Sequence, residues 1–206
     1  MNRYSALKKV QWALVCITII LLAGCISRSA PTVTYYSLLT MEQMGETESL
    51  ASLPEVRLGV GPVSIPDSLK RSQIATRQQG NQFEFAEFNR WAGVLERDIT
   101  SVVGDNLGQL LGVDKVGFFP WMHHFNPTYR VMIDIIRFDG SLEGEAVLST
   151  RWAISDSEGK NFLAGKKSDY RQPLADASFA ALIKAESQLL AALSKEIAAE
   201  IVAQKK

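Results

Sequence analysis

The chain has 206 residues, 47% apolar and 21% charged, with equal numbers of basic and acidic side chains. That composition supports one sizeable core and excludes low-complexity disorder. Three of the 22 basic residues, Arg3, Lys8 and Lys9, precede residue 25 with no acid among them, which leaves 19 basic against 22 acidic residues and a net charge of −3 for the rest. A body of that sign has no general attraction to nucleic acid.

The N-terminus reads in three parts. A positive lead is followed by an apolar run from Val10 to Ala23, then by Gly24, Cys25 and a polar stretch. The apolar run is shorter than the roughly 20 residues that span a bilayer. Positive lead, short apolar core and small residues at the exit mark a secretory signal over residues 1–24. "LAGC" (22–25) resembles the lipobox of bacterial lipoproteins. The resemblance implies that Cys25 is lipidated on sulfur, that the preceding peptide is removed, and that the new amino group is acylated. One acyl chain binds a membrane only marginally, at about 0.8 kcal/mol per methylene, whereas several anchor it stably. Cys16 lies in the discarded segment and Cys25 is capped, so no thiol is left for a disulfide, a nucleophile or a zinc site. Residue 26 is Ile and not Asp; by resemblance to Gram-negative sorting signals this favours the outer membrane, periplasmic face.

Residues 25–32 read as a lipidated tether and 33–206 as a single domain. "TVTYYSLL" (32–39), β-branched and aromatic, predicts a strand, and 41–52 has no period and reads as a loop. "EVRLGVGPV" (55–63) alternates, with Val56, Leu58 and Val60 on one face, and Pro62 and Pro66 are expected to end it. Residues 72–88 predict two strands around Gln79-Gly80-Asn81. From Trp91 to Leu111 the apolar residues recur at helical spacing, with Asn89 as the expected N-cap and Gly112 as the stop. Residues 113–121 predict a short strand and turn, 128–140 and 144–159 a hairpin, and 162–172 the next strand. Residues 176–203 predict a second long amphipathic helix. The order implies an α+β domain: a largely antiparallel or mixed sheet packed against two long amphipathic helices.

Motifs for chemistry are scarce. Adjacent His123 and His124 point apart in an extended chain and suit a surface loop better than a metal site. "GVGP" (59–62) lacks a third glycine, and Pro62 blocks the helix that a phosphate cradle needs. The sequence has no Gly-x-Ser-x-Gly elbow, no His-Glu-x-x-His and no Walker lysine. Glu143 and Glu145 flank a turn and read as solvated charge. Trp91, Trp121 and Trp152 read as core or as the lining of a contact surface. Arg90, beside Trp91, could hold a carboxylate or a partner's carbonyl, which makes Arg90 and Trp91 the candidate partner interface.

"YYSL" (35–38), "VGPVSIPDSLKRSQIATR" (60–77), "NRWAGVLERDITSVVGDNL" (89–107), "YRVMIDIIRFDG" (129–140) and "LSTRWAISDSEG" (148–159) together resemble the ABC-transport auxiliary lipoproteins. The resemblance spans nearly the whole mature chain, and its specificity comes from the ordered set. It implies a non-enzymatic subunit of an envelope lipid-transport system, without cofactor. The implied partners are an MCE-domain protein that bridges the periplasm and its inner-membrane component. Phospholipid and a second copy of the chain are further candidate partners. The alternative is a lipid-anchored assembly protein of a different envelope complex. A periplasmic hydrolase would need a triad or metal site, and none is visible in the sequence.

Overall fold

The structure is a computed structural model. It describes Tyr4, Lys8, Lys9, Trp12 and residues 31–205 apart from 79–81 and 123. The expected secretory signal, Cys25 as the expected lipidation site, the turn expected at 79–81 and His123 therefore fall wholly or mostly outside the described residues. One compact unit covers Val33–Lys206.

In chain order the elements are β1 (Thr34–Tyr36), β2 (Arg57–Ser64), a 3-10 turn (Asp67–Leu69), β3 (Gln73–Arg77), β4 (Phe83–Trp91) and α1 (Leu95–Leu111). β5 (Lys115–Phe118), β6 (Tyr129–Gly140), β7 (Glu145–Ser155), β8 (Phe162–Pro173) and α2 (Phe179–Gln204) follow. The strands form one mixed sheet that forks on β6. β7 and then β8 pair antiparallel on one side of β6. On its other side lie β2, parallel, and at its far end β3 through the pair Thr76–Gly140. β2 carries β5 in parallel, while β3 carries β4 and β4 carries β1. The fold is thus α+β, with long antiparallel ladders in β6–β8, a shorter antiparallel pair β3–β4, and parallel pairs elsewhere.

Period-2 patterns explain the meander. Val131, Ile133 and Ile135 of β6 are buried, with exposed Met132 and Asp134 between them. α1 packs on β2 and β5, α2 on β6, β7 and β8, and the helices lie against each other. Each apolar stripe is buried: Leu95, Ile99, Val103, Leu107 and Leu110 on α1, and Leu182, Leu190, Leu193, Ile197 and Ile201 on α2. A side chain of this size contributes about 1.5–3 kcal/mol when fully buried, so these stripes dominate the fold's stability. α2 starts at Ser178, whose Oγ accepts the Ala181 amide at 3.1 Å. α1 stops at Gly112, whose φ of 58° is left-handed.

Two expectations are corrected. Helix α1 does not begin near Trp91 with Asn89 as its cap. Asn89, Arg90 and Trp91 end β4 and pair with Thr34, Tyr35 and Tyr36. Strand bonding wins there on both edges: the Trp91 amide donates to Ser72 at 2.7 Å, and the Ala92 amide to Tyr36 at 2.8 Å. Pro62 does not end β2 but lies within it, where the register to β6 shifts between Val60 and Val63. A bulge is a place where a strand tolerates the missing donor. In the segment that follows, Val63, Ile65, Leu69 and Ile74 are buried, so this part of the family-like pattern turns the chain from β2 into β3.

A candidate docking groove beside helix α1

A groove of about 930 Å³ opens where α1 begins. Its walls are the Ala92–Ser101 stretch, the end of β5 with Phe118–Pro120, and the bulge of β2 with Gly61–Val63. Three large apolar residues on it face solvent: Val94 is 54% exposed, Phe119 51% and Phe118 40%. Three such residues grouped around one groove are what a contact surface shows. Charges from Glu96, Arg97 and Asp98 stand at its edge.

Glycine sets the shape. A Cβ on Gly104 would come within 2.4 Å of the Phe118 ring, so only glycine on α1 lets that ring lie against the helix. Beside the groove the loop after β5 turns back over the sheet. Gly59 and Gly117 are register partners, and Trp121 and Phe125 lie over them. Phe119 meets Trp121 edge-on at 5.3 Å, and the Arg130 guanidinium stands 5.9 Å from the Trp121 ring.

The segment following the tether is tied into both helices. The Leu38 amide donates to Oδ2 of Asp98 at 2.9 Å, the Leu39 amide to Oγ of Ser187 at 3.0 Å, and the Met41 amide to Oδ1 of Asn106 at 2.8 Å. This strap closes one end of the groove through Ser37. Burial pushes the Asp98 carboxyl above its ordinary value, and the Leu38 amide pulls it partly back.

The sequence-derived interface residues do not line the groove. Trp91 is 5% exposed and belongs to the core, because its strand is covered there; its indole offers almost no area to a partner. Arg90 is partly buried, and its Nε donates to the Glu87 carbonyl at 3.2 Å rather than to a carboxylate. Trp152 is also core, its Nε1–H donating to Ser168 at 3.1 Å, while Trp121 is partly exposed. His124 is exposed, and Glu145 pairs with Arg171. Among the described residues no cluster of three metal-ligating side chains occurs. Asn106, Ser187 and Glu186 went unread in the sequence. Each is a polar residue on an apolar helical stripe, a signal that marks a buried polar group, which in Asn106 and Ser187 is hydrogen-bonded.

Residues 36–198 match the family described as the ABC-type transport auxiliary lipoprotein component. The chain belongs to this family. The family is an auxiliary part of transporters and not a known class of enzymes, and its lipoprotein character implies anchoring to a membrane. No helix among the described residues is long and apolar enough to cross a membrane. A solved protein without assigned function has the same fold at 21% identity and a TM-score of 0.66, over 83% of this chain and 99% of that one. A Xanthomonas campestris protein of the DUF330 family does so at 14% identity and a TM-score of 0.69, over 84% and 97%. No curated protein matches.

Proposed function

We propose that this auxiliary lipoprotein is a PqiC-like, non-enzymatic subunit of an MCE-type intermembrane lipid transport system. Acylated Cys25 anchors it in the outer membrane at the periplasmic face. There it docks the periplasm-spanning MCE protein, whose other end meets the inner-membrane component, and supports envelope integrity. The observation that carries the reading is the exposed apolar groove of Val94, Phe118 and Phe119 in a chain of a transport auxiliary family.

The physics of docking is simple. Confinement of both proteins between the same two membranes raises their effective concentration without any new contact. The three apolar side chains give the contact its desolvated centre. Arg97 at the groove and Arg90 nearby supply rim charge, which acts on association rate and salt dependence more than on affinity.

The test is purification of the lipidated chain from detergent-solubilised envelopes, with mass spectrometry of what accompanies it. The MCE protein is expected with the wild-type chain and is expected to fall at least tenfold with Phe119→Asp, about 1.4 kcal/mol. Arg90→Glu is expected to weaken association while leaving the fold intact. Recovery of a different envelope complex in place of the MCE protein would contradict the proposal and favour the assembly-protein alternative.

A further inference from the structure

Glu186 lies on α2 with 1% of its surface exposed, and its Oε2 has no hydrogen-bond partner. An isolated carboxylate in that position is strongly unfavourable. One turn before Glu186, Leu182 lies against Gly140 at the end of β6, whose neighbour Asp139 is itself buried. Asp139 is already engaged: Arg77 of β3 donates to it from Nε at 3.1 Å and Nη2 at 2.8 Å, and Arg137 of β6 from Nε at 2.9 Å. Both guanidiniums are therefore committed to Asp139, and among the described residues Glu186 has no ion-pair partner.

Several other charged groups on and around α2 have neighbours of their own. On α1, Asp98 accepts from Leu38, and Asp105 stands near Glu42. On β7, Glu145 pairs with Arg171 of β8, and Arg151 pairs with Asp134. Further along α2, Glu196 pairs with Lys166 of β8 and accepts from Ser168 and Tyr170. Ionised, Glu186 would thus add a second negative charge beside Asp139 with no cation of its own. The next residue, Ser187, is fully buried; its Oγ accepts the Leu39 amide and donates to the Ile183 carbonyl at 2.7 Å.

We propose that Glu186 is a proton-controlled latch: the buried seam between α2 and the end of β6 accommodates it as the neutral acid, and its ionisation loosens α2 together with the Ser187 clamp on the strap. Burial pushes the Glu186 carboxyl well above its ordinary value of 4.5, and Asp139 adds to the effect. The sign follows. Above the ordinary value the unfolded chain has lost this proton and the folded chain keeps it. Stability falls as pH rises from there until the folded carboxyl ionises too.

The test uses the full-length lipidated chain in detergent, unfolded by denaturant at a series of pH values from about 5 to about 9. In the wild type the unfolding constant is expected to grow by as much as tenfold per pH unit from this group. Glu186→Gln is expected to lose that share of the slope. Hydrogen exchange at the Leu39 amide, corrected for its intrinsic pH dependence, is expected to lose protection on the same curve in the wild type and to hold level in Glu186→Gln. Equal slopes in the two proteins would overturn the latch, as would unchanged Leu39 protection. Carbon NMR of the Glu186 carboxyl in the folded wild type needs no variant. A protonated signal near neutral pH is expected, and an ionised one would overturn the proposal even where Glu186→Gln does not fold.

Discussion

The Met41 amide donates to Oδ1 of Asn106, and both residues have no exposed surface. A loop amide is thereby satisfied inside the core by a side chain that interrupts an apolar helical stripe. Asn106→Ala leaves that donor without a partner. A loss of about 1–3 kcal/mol is expected, read from the denaturant midpoint. Asn106→Leu fills the volume but leaves the same donor bare, so it is expected to destabilise as well.

Gly104→Ala sets two effects against each other. Alanine gains about 1 kcal/mol over glycine in a helix interior. Its Cβ, however, would meet the Phe118 ring at 2.4 Å. Overpacking of this kind costs about 1–3 kcal/mol. The expected result is a net loss of stability, together with weaker association with the MCE protein, because Phe118 must leave its place in the groove. A variant more stable than the wild type would contradict the packing described for Phe118.

Much of the fold is legible in the sequence, and the reason is local pattern. The meander β6–β7–β8 shows as alternation with turn residues between the strands, and both helices show as 3.6-residue stripes. What is hidden is non-local. The parallel pairs β1–β4, β2–β5 and β2–β6 join segments far apart in the chain, and alternation alone does not choose a partner strand. The start of α1 is misread because Trp91 continues the helical spacing of Leu95 and Ile99 while its backbone is held in a ladder. The groove is hidden for the same reason. Val94, Phe118 and Phe119 look like ordinary core residues until the fold leaves them together at the surface.

Asp98 makes the strap sensitive to pH. Its carboxyl is raised from an ordinary 3.8 by burial. The folded state therefore keeps the proton that the unfolded chain releases, and stability falls as pH rises through that region. Asp98→Asn keeps an oxygen acceptor for the Leu38 amide and cannot ionise. It is expected to remove this part of the pH slope at little loss of stability near neutral pH, whereas Asp98→Ala is expected to cost about 1–3 kcal/mol at every pH. Denaturant unfolding at a series of pH values checks both.

The anchor is tested separately from the fold. Cys25→Ala is expected to abolish acylation and leave an uncleaved or mislocalised precursor, and intact mass of the wild type is expected to show added acyl chains. Ile26→Asp is expected to hold the protein in the inner membrane of a Gram-negative host. Membrane fractionation reads the outcome.

Photocrosslinking in living cells tests docking through the groove most directly. A photoreactive residue replaces Phe119, with Lys167 of β8 as the control position away from the groove. Mass spectrometry is expected to identify the MCE-domain protein in the adduct formed from position 119 and not from position 167. An MCE adduct from position 167 alone, or no MCE adduct from either position, would contradict the account.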